Sequence, residues 1–268
     1  MSNLKEKMKN GPVFGMTIYT GSCAIVEALG NWGYDFAFLD AEHTPLGVGP
    51  EMEKIIMGAR LSGVSPLVRV TGCDEVEIRK ALEMGAEGVI IPHVKTREEA
   101  ELCVRASKFP PKGRRGADAT CRAAGYAAKG FDWKEYIARS NSETIILPMA
   151  EDFEFFDNID EIMKVEGIDG INFGPMDLAL SIGLTVFYKM DEPAIEDALK
   201  KLVAKTRPLG MKIMAPALPP TPATVKNVIA KGVNMVIVGS DMYNFQAACK
   251  TIAEQCVTPL RESSTGSR

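Results

Sequence analysis

An apolar run, Phe36-Ala37-Phe38-Leu39, leads directly into Asp40-Ala41-Glu42-His43, which brings together two carboxylates and one of only two histidines in 268 residues. Carboxylates beside an imidazole can tune its pKa, orient a substrate and move a proton, so His43 is the leading acid/base candidate, with Asp40 and Glu42 as its setting. Other polar residues stand at the ends of further apolar runs: Arg69, His93, Glu151, Asp177, and Ser240 with Asp241. Glu151 and Asp177 are the metal candidates. Oxygen ligation by two carboxylates suits Mg²⁺ or Mn²⁺, with Co²⁺ a further option, and leaves positions for substrate oxygens. Such a metal acts as a Lewis acid on a 2-oxo acid, stabilising the enolate formed when a proton or carbon–carbon bond leaves the adjacent carbon. Arg69 follows Leu67-Val68 and precedes Val70. There it needs an anion, either a ligand or an ion pair with Asp40 or Glu42. Gly174-Pro175-Met176-Asp177 opens a short helix whose unpaired N–H groups offer a seat for a carboxylate. Lys95 and Lys212 lie close enough to strand ends for a Schiff base to be considered, although Lys212 falls early in its strand, towards the other face.

These residues act together only if the runs before them are strands whose carboxyl ends converge. Short, uninterrupted apolar runs bounded by Pro and Gly read as strands buried on both faces, as in parallel sheets. Strands are expected at 13–18, 34–39, 66–70, 88–91, 144–149, 168–173, 211–215 and 233–238. Helical patterns alternate with them at 24–29, 50–61, 75–84, 97–107, 153–165, 192–206, 223–231 and 242–256. This rhythm predicts a single-domain (β/α)8 TIM barrel over 1–260. An open doubly wound sheet is the competing arrangement, but the Gly-rich dinucleotide signature does not follow the first strand. The segment 109–142, rich in Arg, Gly and Ala, is an insertion expected to cover the barrel mouth or a neighbouring subunit. The polar tail 261–268 is expected to be disordered.

Composition narrows the possible partners. Net charge is −4, and no basic run interleaves with aromatics, so nothing points to nucleic acid. No stretch approaches the roughly 18 apolar residues of a membrane span. The first ten residues are polar, carry three lysines and lead into no signal-peptide core, so a cytoplasmic location is expected. The six cysteines (23, 73, 103, 121, 249 and 256) are scattered without a Cys-x-x-Cys pair, and read as ordinary small residues.

Leu39-Asp40-Ala41-Glu42-His43, Phe109-Pro110-Pro111-Lys112-Gly113-Arg114-Arg115-Gly116 and Gly174-Pro175-Met176-Asp177-Leu178 together resemble the HpcH/HpaI family of class II, metal-dependent pyruvate aldolases. The resemblance runs from about 30 to 241. It implies a barrel assembled as a homohexamer, a trimer of dimers. It implies Glu151 and Asp177 as metal ligands, His43 as the acid/base residue acting through water, and Arg69 on the C2 oxygen of pyruvate. The backbone at Gly174, Pro175, Met176 and Asp177 would seat the pyruvate carboxylate. Glu83, where relatives often have aspartate, would support the histidine, across a subunit interface in an assembled oligomer. Met149 stands where relatives often carry glutamine, and His93 where methionine is common. The implied activity is reversible cleavage of a 4-hydroxy-2-oxo acid to pyruvate and an aldehyde. The alternatives are a CoA-ester lyase of the malyl- or citramalyl-CoA type, an oxaloacetate decarboxylase, and a non-catalytic sugar-acid binding protein.

Overall fold

The computed structural model describes residues 4–185 and 190–265, and the expected disordered tail therefore lies partly outside the described residues. Eight parallel strands close into a barrel in chain order: β1 (Val13–Ile18), β2 (Phe36–Asp40), β3 (Ser65–Arg69), β4 (Gly88–Ile91), β5 (Ile145–Ala150), β6 (Gly170–Phe173), β7 (Lys212–Pro216) and β8 (Met235–Ser240). Helix α1 (Leu4–Asn10) precedes the barrel. Around it lie α2 (Cys23–Asn31), α3 (Pro50–Leu61), α4 (Glu75–Glu83), α5 (Arg97–Ser107), α6 (Trp133–Glu143), α7 (Phe153–Asp157), α8 (Ile159–Ile162), α9 (Pro175–Ser181), α10 (Pro193–Thr206), α11 (Pro222–Ala230), α12 (Asp241–Ile252) and α13 (Thr258–Thr265).

The apolar runs conceal an alternation of period two. Phe36, Phe38, Leu67, Ile90, Leu147, Met149, Met214, Met235 and Ile237 fill the barrel interior. Their neighbours Ala37, Leu39, Val68, Val89, Ile91, Ile146, Ala150, Ile213 and Val236 pack outward beneath the helices. Successive strand residues face opposite sides, so a residue two beyond an interior position also faces in. Asp40, Arg69 and Glu151 carry that inward parity at the carboxyl ends of β2, β3 and β5, and this projects them into the mouth.

The structure adds one element and corrects three expectations. The polar first ten residues contain α1, whose Leu4 and Met8, one helical turn apart, plug the amino end of the barrel among the interior residues. Glu87 anchors the plug by accepting from the Leu4 N–H at 2.7 Å, and Lys7 pairs with Asp35 at 2.8 Å. The helix expected over 153–165 is two short helices broken at Asn158. The tail expected to be disordered from 261 is helical as far as Thr265. Within this chain the insertion does not cover the mouth. It leaves α5 and re-enters β5 at the amino end, where Phe109, Ala124 and Tyr136 build a small core of their own. Lys108 fastens it by donating to the Asn141 and Thr144 carbonyls at 2.8 and 2.9 Å.

The plug generates a stability prediction. Met8→Ala removes buried thioether and methylene contacts that α1 alone supplies, and is expected to lower unfolding free energy by about 2–3 kcal/mol in urea titration. An unchanged midpoint would show that α1 adds no stability to the barrel.

Candidate active site

Asp40 and Arg69 are direct register partners across β2 and β3. The guanidinium forks onto the carboxylate, with Nε donating to Oδ1 at 2.8 Å and Nη2 to Oδ2 at 2.7 Å, while Nη1 lies 3.1 Å from Glu42 Oε2. Asp40 is fully buried and Arg69 nearly so, and the guanidinium lies 5.3 Å from the centre of the Phe38 ring. Bidentate geometry makes such a pair strong as well as directional. Asp40 also shapes the next loop. Its Oδ1 accepts from the N–H groups of Glu42 at 3.0 Å and His43 at 3.4 Å, and Thr44 Oγ1 donates to its carbonyl at 2.6 Å. This short-range turn brings His43 to the rim, half-exposed, with Nε2 3.8 Å from Glu42 Oε2. Burial, with Asp40 adding to it, raises the Glu42 pKa against the opposing charges of Arg69, His43 and His93.

Glu151 is a second deeply buried acid of the mouth, with 1% of its side chain exposed. Its Oε1 accepts from the His93 N–H at 2.7 Å. Its other edge lies against Gly174, where an added Cβ would come within 2.7 Å of Glu151 Cβ and 2.8 Å of Oε2. Glycine is therefore required there by space. Burial is the main force raising the Glu151 pKa to about 7, and the negative charges of Asp177 and Glu42 add to it, while the His93 N–H and imidazole pull the other way.

A cavity of about 680 Å³ opens on these groups. His43, Arg69, Met149, Gly174, Pro175, Met176 and Asp177 line it, joined by Tyr19, Asn172 and Tyr243. Asn172 Oδ1 is buried there without a hydrogen-bond partner, so a ligand donor or a water is needed to satisfy it. Its place in the apolar run Ile171-Asn172-Phe173 is a signal that sequence reasoning could have used.

The structure separates the expected site residues into those it gathers and those it does not. Asp40, His43, Arg69, Glu151 and the segment 174–177 meet at the mouth. Glu83 does not reach His43 within this chain. It ends α4, which runs from the mouth to the amino end of the barrel, and its nearest ion-pair atom is Arg79 Nε at 4.0 Å. Asp241 holds the loop after β1, accepting from the N–H groups of Tyr19 and Thr20 at 3.0 and 2.9 Å, and Ser240 caps α12. Asp152, at the start of α7, makes no cap hydrogen bond and instead meets His93 Nδ1 at 2.9 Å and Lys95 Nζ at 3.4 Å.

Two carboxylate groupings could hold a metal. His93, Glu151 and Asp152 each offer a ligand atom within 4.8 Å of the others. In that trio, however, His93 Nδ1 is already engaged with Asp152, and burial of the imidazole is outweighed by Asp152, Glu151 and Glu42, which raise its pKa and favour its charged form. The other edge of Glu151 packs against Gly174 at the cavity wall, and the charge of Asp177, three residues further on, adds to the rise of the Glu151 pKa. An all-oxygen pair with room for water and substrate suits a hard divalent ion, so Glu151 and Asp177 could hold one.

Two expectations follow from this geometry. In chelator-treated protein, the folded state holds a proton on Glu151 that the unfolded chain, at its ordinary 4.5, has released. The contribution of this residue to stability is therefore full below about pH 4.5 and is lost as pH rises through about 7, a swing on the order of 3 kcal/mol. Glu151→Gln should flatten that slope and raise the melting temperature of the chelated protein at pH 8, and an unaltered slope in scanning calorimetry would contradict the assignment. Gly174→Ala should displace Glu151 and weaken Mn²⁺ binding by roughly tenfold or more in isothermal titration, whereas wild-type affinity would remove Glu151 from the metal edge.

Comparisons with known proteins converge on one family. The model of the HpcH/HpaI aldolase/citrate lyase family matches residues 15–248. The chain is 33% identical over 230 residues to the 5-keto-4-deoxy-D-glucarate aldolase of Escherichia coli strain K12, covering 85% of this chain and 86% of the relative. Among solved structures it is similar to an HpcH/HpaI aldolase from Desulfitobacterium hafniense DCB-2, with a TM-score of 0.85, 26% identity, and coverage of 96% of this chain and 99% of that one. It is also similar to the citrate synthase SbnG, with a TM-score of 0.81, 28% identity, and coverage of 94% and 98%. The chain belongs to the HpcH/HpaI aldolase/citrate lyase family, a family of carbon–carbon lyases.

Proposed function

We propose that this lyase cleaves a 4-hydroxy-2-oxo acid to pyruvate and an aldehyde, and runs in reverse as an aldol addition. The observation that carries the reading is the convergence of Arg69, His43 and Asp177 on one cavity, with Glu151 packed against Gly174 of its wall. A Mg²⁺ or Mn²⁺ ion held by Glu151 and Asp177 would supply Lewis-acid polarisation of the 2-oxo group.

The protein groups divide the remaining work. Arg69 donates two hydrogen bonds to Asp40 and pairs with Glu42 through Nη1, which leaves terminal N–H groups for the C2 oxygen, where negative charge grows as the C3–C4 bond breaks. With the guanidinium forked onto buried Asp40 and paired with Glu42, those donors are oriented before substrate arrives. His43, half-exposed at the rim, accepts the proton of the C4 hydroxyl as the aldehyde forms, directly or through a water, and returns a proton in the synthetic direction. The bonding electrons pass to C3, giving the pyruvate enolate, which is then protonated at C3. The N–H groups of Met176 and Asp177, in the first turn of α9 and without helical acceptors, suit the pyruvate carboxylate. Similarity to a 5-keto-4-deoxy-D-glucarate aldolase supports a polyhydroxylated, acidic substrate class.

The test is pyruvate release from a 4-hydroxy-2-oxo acid, coupled to lactate dehydrogenase. Glu151→Ala and Asp177→Ala should each abolish the metal-dependent rate. Arg69→Lys keeps the charge but loses the fork, and should lower kcat by about 10²–10³-fold with little change in Mn²⁺ affinity. His43→Gln should cost about 10²–10⁴-fold, mostly in kcat. Full activity in either carboxylate variant would defeat the proposal.

A further inference from the structure

Cys73 lies in the loop between β3 and α4, and Cys103 lies on the inner face of α5. Thirty positions separate them in sequence, yet their sulfurs are 3.8 Å apart. Cys103 is fully buried, whereas Cys73 is half-buried and reachable from solvent, with Sγ also 3.5 Å from the Glu99 carbonyl oxygen. All six thiols of the chain are free, and neither member of this pair belongs to the mouth.

We infer that Cys73 and Cys103 form a dithiol modification site, which takes a low-molecular-weight disulfide as its oxidant and closes to an intramolecular disulfide. In the first step the Cys73 thiolate attacks one sulfur of the small disulfide. A mixed disulfide forms, and one small thiolate leaves, to be protonated by the proton that Cys73 gave up. In the second step Cys103 loses its proton and attacks Cys73 Sγ, expelling the second small thiol. The protein gives up two protons and two electrons in all, and the small disulfide leaves as two thiols. Closure requires the sulfurs to approach from contact to about 2.0 Å, a movement that Cys73 can supply from its loop.

The two environments assign the roles. Accessibility makes Cys73 the attacking thiol, and the hydrogen bond from Cys103 lowers its pKa. Cys103 is held well above the usual thiol range by that same bond and by burial, so it resolves only after the charge on Cys73 is gone. The disulfide would tie the segment that continues β3 beyond Arg69 to α5, independently of what the mouth catalyses.

The experiment exposes the reduced, full-length protein to excess oxidised glutathione, then alkylates it and maps the peptides by mass spectrometry. The expected result is a Cys73–Cys103 linked peptide within one chain, no lasting glutathione on Cys73, and recovery of both thiols with dithiothreitol. Cys103→Ser should trap glutathione on Cys73, and Cys73→Ser should leave Cys103 unmodified. If the Cys103 variant fails to fold, the wild-type map still decides. Persistent glutathione on wild-type Cys73, a link between two chains, or an unreacted Cys73 while exposed Cys23 is modified would each overturn the inference.

Discussion

Asp40 and Arg69, side by side at the ends of adjacent strands, form a buried ion pair that the mouth is built around. Taking both charges out of water is costly, and the cost is offset only because the fork geometry is good and the spare lone pairs of Asp40 are used. The second of those conditions is what bends the chain: the backbone N–H groups of Glu42 and His43 come to Asp40, and the turn after β2 sets His43 at the rim as a result. One carboxylate thus fixes the arginine from one side and places the histidine from the other. Neither the loop nor the guanidinium is positioned without it.

The pair also sets the charge balance. Arg69 neutralises Asp40, and Glu42, Glu151, Asp152 and Asp177 remain around the same opening, with His43, His93 and Lys95 as the nearby bases. The mouth holds more negative charge than its own cations offset, and desolvated Glu151 bears most of the strain. Like charges gathered in this way repel one another, and a cation at the mouth would relieve that repulsion. His93, with a backbone φ of 53°, is wedged among three of these acids and binds Glu151 through its main chain. It holds one oxygen of that carboxylate, while the other packs against Gly174.

The barrel was legible because continuous apolar runs and the polar residues ending them are local properties of the chain, and Asp40, Arg69 and Glu151 could be placed by strand parity alone. Strand ends shifted by one or two residues, since apolar content does not record where the hydrogen-bonded ladder begins. Position after a strand does not by itself mark a site residue. Ser240 ends β8 and Asp241 follows it just as Glu151 follows β5, yet their oxygens are consumed by the start of α12 and by the loop after β1. Helix α1 escaped notice because only two apolar residues, Leu4 and Met8, mark its buried stripe. The Cys73–Cys103 contact and the insertion at the amino end depend on tertiary packing between distant segments, which spacing along one chain does not encode.

The central claim is that this mouth makes pyruvate enolate, and it can be tested without knowing the aldehyde. Pyruvate is incubated with the protein in D₂O, and loss of its methyl proton signal is followed by NMR with Mg²⁺ or Mn²⁺ and again with a chelator. The account predicts enzyme-dependent exchange that requires the metal. Methyl protons that stay in place at the uncatalysed rate with Mg²⁺, Mn²⁺ and Co²⁺ alike would contradict it.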